Sequence, residues 1–82
     1  MVTSKTYYSK TQLDPVLIIE LNDWFDEKGL DFENYEKELQ ENESIPMIVT
    51  RQWENQTVAE EFCVKIKNLL GDVIISSEII SE

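Results

Sequence analysis

Two segments with a helical spacing of apolar residues, each followed by a glycine, separate three strand-like segments, and this order limits the possible folds. The first helical segment covers residues 15–28. Asp14 is a favoured N-cap, Pro15 suits the first helical position, and Gly29 suits the left-handed residue that ends many helices. The apolar residues of this segment share one helical face: Leu17, Ile18, Leu21, Trp24 and Phe25.

A second helix is predicted between Thr57 and Gly71. Thr57 and Glu60 match a capping box, in which each side chain accepts a hydrogen bond from the other residue's backbone N–H. Gly71 closes the segment. Its apolar stripe includes the single cysteine of the chain, which we interpret as a buried small hydrophobe. The stripe consists of Val58, Ala59, Phe62, Cys63, Ile66, Leu69 and Leu70.

Residues 2–9, 44–53 and 73–80 are predicted to form strands, because β-branched and aromatic residues are frequent in them. Tyr7 and Tyr8 point to opposite faces of the first strand, so one is expected inside and one outside. Residues 73–80 are apolar on both faces, which is typical of a strand that is covered on both sides. Alternation in the middle strand places five residues on one face: Ile45, Met47, Val49, Arg51 and Trp53.

Residues 31–43 fit two structures. Phe32, Tyr35 and Leu39 can form a helical stripe, and the helix propensity of the segment is high. Tyr35, Lys37 and Leu39 also alternate as one face of a strand. Local propensity therefore favours a helix, whereas the order of the other elements favours a strand.

With a strand at residues 31–41, the element order is βαββαβ. This order predicts an α+β fold of the ferredoxin-like type, with a four-stranded antiparallel sheet and both helices on one face. We expect a single domain over residues 1–82. A chain of 82 residues buries only about 60% of the surface that it exposes when unfolded, and one cysteine allows no intrachain disulfide. A partner subunit is therefore expected to add stability.

The acidic charge is concentrated in one part of the chain. The formal net charge is −10, and residues 20–43 carry ten acids against Lys28 and Lys37. Such a field repels nucleic-acid phosphates and anionic membranes, so we expect neither as a partner. The sequence shows no signal-peptide apolar region and no apolar run long enough to span a membrane, which predicts a cytoplasmic location.

Residues 47–62 read MIVTRQWENQTVAEEF: a strand that ends in tryptophan, a short polar turn, and a capped helix with an alanine and an aromatic residue. This block resembles the third strand and second helix of the dimeric α+β barrel superfamily, which includes antibiotic-biosynthesis-monooxygenase-like domains. The resemblance implies a homodimer in which the helix-free sheet faces pack together. Active members commonly use a histidine beside asparagine and tryptophan. Asn22, Trp24 and Trp53 are present, but the chain has no histidine.

Arg51 is the charged residue that most needs an explanation, because it shares a strand face with apolar neighbours. One interpretation is a structural ion pair with a nearby glutamate. The other is an anchor for an anionic small molecule in a cleft between sheet and helices, lined by Tyr8 and Trp53. We expect no metal site, because the spacing of Asp31 and the acids after it does not match a calcium loop. No cofactor is expected.

Three functions remain open at this point. The first is a non-catalytic homodimeric domain that binds a small molecule between helices and sheet. The second is a cofactor-independent, monooxygenase-like enzyme. The third is an acidic interaction protein or inhibitor that occupies a basic site. The first requires no residue that the sequence lacks, and catalytic residues are not identifiable.

Overall fold

The computed structural model describes residues 1–11 and 13–81, which form an α+β structure of three strands and three helices. The predicted α+β class is confirmed. The elements follow in the order β1 (Val2–Tyr8), α1 (Pro15–Glu27), α2 (Glu33–Glu41), β2 (Met47–Trp53), α3 (Gln56–Leu69) and β3 (Ile74–Ser81).

The sheet has the order β2-β1-β3, and β1 is antiparallel to both neighbours. Thr6, for example, is the partner of Val49 on one side and of Ser77 on the other. β2 and β3 therefore run parallel to each other with β1 between them, and α3 connects them. This arrangement is a split βαβ unit, which is compatible with a ferredoxin-like fold.

The predicted strand at residues 31–41 is wrong, because this segment forms α2. Phe32, Tyr35 and Leu39 lie at helical spacing and are all buried, with exposed fractions of 4%, 2% and 1%. The helical stripe and the local propensity therefore determined the structure. The sheet consequently has three strands instead of four, and the order is βααβαβ.

The predicted helix ends are largely confirmed. The Asp14 carboxylate accepts from the Val16 N–H at 2.9 Å, and Gly29 has a φ of 69°, the left-handed conformation expected after α1. The capping box at Thr57 is wrong, because α3 begins two residues earlier than that box requires. Asn55 is the N-cap, and its side-chain oxygen accepts from the Thr57 N–H at 2.8 Å.

All three helices pack on one face of the sheet, where a group of aromatic rings forms the centre of the core. Phe25 and Phe62 are fully buried, and their ring centres are 5.7 Å apart. Tyr35 of α2 contacts Phe62 in an edge-to-face arrangement at 5.4 Å. The group comprises Trp24, Phe25, Phe32, Tyr35, Trp53 and Phe62.

The opposite, helix-free face of the sheet is not covered by any other element of the described residues. Ile48 of β2 and Ile80 of β3 are 40% and 45% exposed there. On this face Ile48 is the register partner of Tyr7, and Ile80 that of Thr3. The alternation of Tyr7 and Tyr8 predicted that one of them is buried, and the structure shows that this one is Tyr8. None of the helices in the described residues is long and apolar enough to cross a membrane.

Candidate ligand-binding site at Arg51

Arg51 extends from the inner face of β2 and is held between aromatic rings. Val49 and Trp53, two positions away on either side, point to the same face and are buried. The guanidinium carbon lies 4.9 Å from the ring centre of Trp53 and 4.9 Å from that of Phe25. These distances are within the range of cation–π contacts, so the two rings stabilise a half-buried cation at this position.

The Arg51 guanidinium has no ion-pair partner among the described residues, and its Nε is buried without a hydrogen-bond partner. Burial lowers the pKa of Arg51, and the nearby Asp31 carboxylate acts in the opposite direction. Asp31 is itself engaged at the start of α2, where its Oδ1 accepts from the Glu33 N–H at 3.0 Å. The glutamate ion pair considered for Arg51 is therefore not formed within residues 1–11 and 13–81.

Two neighbouring clefts meet at Arg51. The first has a volume of about 720 Å³ and lies between α2 and β2. The second has a volume of about 370 Å³ and lies between β2 and the turns that flank α1 and α3. Asp31, Arg51 and Gln52 line both. The first cleft is also lined by Asn34, Tyr35, Lys37, Glu38, Glu41 and Thr50. The second is also lined by Lys28, Gly29, Leu30, Trp53, Glu54, Asn55 and Val58.

The structure brings together two of the three residues predicted to bind a ligand. Trp53 lies against Arg51, and its indole N–H donates to the Ser4 hydroxyl at 2.9 Å. Tyr8 is fully buried and lines neither cleft. The register explains the separation, because Ser4 is opposite Arg51 whereas Tyr8 is opposite Met47, at the other end of β2.

Tyr8 belongs instead to a buried group of hydroxyls between the sheet and the helices. Its phenol oxygen shares a 2.7 Å hydrogen bond with that of Tyr35. Burial raises the pKa of Tyr8 well above its usual value, and it raises the pKa of Tyr35 to about 12. Both phenols are therefore protonated at neutral pH.

A second part of this buried group connects the sheet to α3. The Thr6 and Ser77 hydroxyls share a hydrogen bond of 3.0 Å, and the Ser77 hydroxyl donates to Cys63 Sγ at 3.1 Å. Cys63 is buried, so its side chain packs in the core as the sequence predicted. Within the described residues, no group of three or more acidic or cysteine side chains is arranged to hold a metal ion.

Sequence reasoning missed the residues that other elements bring to Arg51. Phe25 and Asp31 come from α1 and from the segment before α2, and neither is close to Arg51 in sequence. The helical stripe of residues 31–43 was the signal that could have placed Tyr35 beside the cleft, because it assigns this side chain to the inner face of a helix.

Comparisons of the chain with protein-family models, with curated proteins and with solved structures gave no match. The fold assignment therefore rests on the architecture described above, which is a small α+β structure compatible with a ferredoxin-like fold. Kinship with the dimeric α+β barrel superfamily stays a hypothesis that rests on the block at residues 47–62.

Proposed function

We propose that this chain is a non-catalytic, homodimeric domain of the ferredoxin-like type, and that it binds a small anionic molecule at Arg51. The observation that carries the proposal is the Arg51 guanidinium itself, which is half-buried, has no ion-pair partner among the described residues and borders two clefts. A buried charge without a partner costs free energy, and an anionic ligand removes that cost.

The surroundings of Arg51 suit a planar anion. Phe25 and Trp53 hold the guanidinium in place, so little side-chain entropy is lost when it forms hydrogen bonds. An arginine remains charged at neutral pH even when burial lowers its pKa. Two parallel N–H donors of a guanidinium match the two oxygens of a carboxylate or phosphate. Because the chain as a whole repels anions, recognition depends on these local contacts.

The absence of catalysis is proposed from the chemistry of the titratable groups near the site. A general base needs a pKa near the working pH. The pKa of Tyr35 is raised to about 12, so its phenol holds its proton at neutral pH. Arg51 cannot accept a proton either, and the chain contains no histidine. The carboxylates that line the clefts are exposed to water instead of enclosed in an apolar pocket, which a catalytic acid–base pair requires: Asp31, Glu38, Glu41 and Glu54.

The binding proposal is tested by titrating the ¹⁵N-labelled protein with acetate, benzoate and inorganic phosphate. We expect the Arg51 Nε–H and the Trp53 indole N–H resonances to shift, and Arg51→Met to abolish the shift of the Trp53 indole N–H. Lys10→Gln is the matched control, because it removes one positive charge from an exposed residue that lines neither cleft. Equal shifts in Arg51→Met and in the unchanged protein would contradict the proposal.

The homodimer is proposed from the helix-free face of the sheet. Ile48 and Ile80 expose apolar surface there, and a second copy that packs face to face would cover both. A small chain gains most from such cover, because its own core is thin. The split βαβ arrangement of β2, α3 and β3 also supports kinship with the dimeric α+β barrel superfamily.

A further inference from the structure

The edge of β2 that faces away from β1 carries backbone groups that can accept another strand. In an antiparallel pair, the N–H and C=O of one residue point to the same side, and successive residues alternate. The Asn42 side-chain N–H donates to the Ile48 carbonyl oxygen at 3.4 Å, from the end of α2. Ile48 therefore turns its backbone groups away from β1, and so do Thr50 and Gln52.

A hydrogen bond at the end of β1 leads to the same alternation. The Ser9 N–H donates to the Val73 carbonyl oxygen at 2.7 Å. The register shift between Tyr7 and Tyr8 adds its extra residue to β3, so β1 keeps its alternation, with its odd-numbered residues facing β3 and its even-numbered residues facing β2. Ser4 is the partner of Arg51, so Arg51 and the other odd-numbered residues of β2 bond to β1. The even-numbered residues of β2 are left facing the open edge.

The first cleft runs along this edge, where a fourth strand would pair if residues 31–41 were extended. Because these residues form α2, no other strand of the described chain covers the edge. No hydrogen bond within the described residues reaches the outward backbone groups of Thr50 and Gln52. Their side chains are exposed and uncharged, whereas solitary sheet edges are commonly protected by lysine, proline or a bulge.

The two ends of this cleft differ in charge. Arg51 lies at one end beside Asp31, whose Oδ1 already accepts from the Glu33 N–H, and Lys37 also lines the cleft. Glu38 and Glu41 lie towards the other, because Asn42, the next residue in the chain, bonds to Ile48. A strand rises about 3.3 Å per residue, so the ends are roughly 10 Å apart. The cleft therefore matches an elongated ligand with an anionic group at one end and a cationic group at the other.

We propose that the anionic ligand of Arg51 is an extended peptide that adds a fourth strand to the free edge of β2. This inference rests on the proposed function, because it names the class of the ligand. The peptide main chain exchanges hydrogen bonds with Thr50 and Gln52, and a carboxylate of the peptide accepts from the Arg51 guanidinium. A basic side chain nearer to the peptide N-terminus faces Glu41.

A second copy of this chain is a poorer occupant of the same edge. If two β2 strands paired edge to edge, the α2 helices of both copies, each with four glutamates against one lysine, would flank the same interface. Like charges across an interface cost free energy, and each copy carries a net charge of −10. A peptide with a basic side chain meets the same carboxylates favourably.

The test titrates the whole ¹⁵N-labelled chain with an acetylated pentapeptide of lysine, threonine, valine, threonine and valine that ends in a free carboxylate. We expect the backbone N–H resonances of Thr50 and Gln52 to shift together with the Arg51 side chain. Methylation of the central peptide nitrogen blocks strand pairing, and amidation removes the carboxylate. Each change is expected to weaken binding by about tenfold or more.

Arg51 could hold either the terminal carboxylate of the peptide or a side-chain carboxylate. A peptide that ends in aspartate and is amidated at its C-terminus keeps only the side-chain carboxylate and so separates the two. Recovered binding assigns a side-chain carboxylate, lost binding assigns the chain terminus, and both results agree with the proposal. In the protein, Thr50→Pro deletes the outward N–H, and Thr50→Val keeps it. Proline is tolerated on the free side of an edge strand, so both variants are expected to fold, and only Thr50→Pro is expected to lose affinity.

The outcomes separate this inference from the proposed function. If acetate binds at Arg51 while the methylated peptide binds as tightly as the unmodified one, the inference of strand addition is wrong and the proposal of an anion-binding site is retained. If neither acetate nor the peptide binds, both proposals fail. Concentration-dependent shifts at Thr50 and Gln52 that appear without peptide and persist in Ile80→Lys, whose charge blocks the face-to-face dimer, would assign the edge to a second copy and overturn the inference.

Discussion

The phenol oxygens of Tyr8 and Tyr35 lie 2.7 Å apart in the core and join β1 to α2. Both rings are almost completely buried, so water cannot replace either partner. An unpaired buried polar group costs free energy, whereas the removal of both partners leaves an apolar contact. This pair therefore determines how α2, the element that replaces the predicted strand, is held against the sheet.

The stability losses of the two single tyrosine substitutions are expected to add up to more than the loss of the double substitution. Tyr8→Phe and Tyr35→Phe should each lower the free energy of unfolding by about 1–3 kcal/mol, because each leaves one buried hydroxyl without its partner. The double variant should lose less than the sum of the two. Urea unfolding of the four proteins measures the coupling, and strictly additive losses would contradict it.

The same pair predicts a loss of stability in alkaline solution. The usual pKa of tyrosine is 10.0, and in the folded protein that of Tyr35 is raised to about 12. Between these two values the unfolded chain releases a proton that the folded chain retains, so rising pH favours unfolding. The contribution of Tyr35 is fully present below pH 10 and decreases by about 3 kcal/mol as the pH rises to 12.

Urea unfolding at intervals from pH 9 to pH 11.5 measures this effect. The Tyr8→Phe/Tyr35→Phe variant is the control, because lysine deprotonation affects it as it affects the unchanged protein. We expect a shallower decline of stability for the control. Parallel curves for the two proteins would show that the buried phenols do not cause the decline.

Arg51→Met is expected to change the free energy of unfolding by less than about 1 kcal/mol. The substitution removes the cation–π contacts with Phe25 and Trp53, which contribute about 0.5–2 kcal/mol. It also removes a buried Nε that has no partner, and this gain is of similar size. Thermal and urea unfolding check the prediction. A loss above about 3 kcal/mol would indicate that Arg51 serves the fold and not a ligand.

Charges on the helix-free face of the sheet are expected to prevent dimer formation. Ile48→Lys and Ile80→Lys each place a charge where the proposed partner packs, so both should reduce the mass in solution to that of one chain. Ile19→Lys is the control, since Ile19 is 60% exposed on α1, away from that face. Light scattering after size-exclusion chromatography gives the masses. A single-chain mass for the unchanged protein would contradict the dimer.

The sequence predicted the parts of the fold that local chemistry determines. Asp14, Pro15 and Gly29 mark α1 to within one residue of its observed span, because capping preferences act within a single turn. Residues 31–41 were assigned wrongly because an expected topology was preferred to the helical stripe. The cap of α3 was placed two residues late, since Asn55 and Thr57 are both favourable N-cap residues.

The candidate site was predictable only where it depends on one strand. Alternation along β2 places Arg51 and Trp53 on the inner face, and the structure confirms that they are in contact. Alternation does not tell how far along the sheet two residues of different strands lie from each other. Tyr8 was therefore assigned to the site although its register places it beside Met47. Phe25 and Asp31 depend on tertiary packing that no local pattern describes.

The central position of β1 has a consequence for the way the chain reaches its native state. Among the residues that the structure describes, β2 and β3 have no strand partner except β1, and the bond between Thr6 and Ser77 joins residues 71 positions apart. Closing so long a loop must precede completion of the sheet, which slows folding relative to a helical bundle of equal size. A ribosome-bound chain that lacks Ile74–Ser81 can pair only one side of β1, so the fold cannot be divided into halves that mature separately.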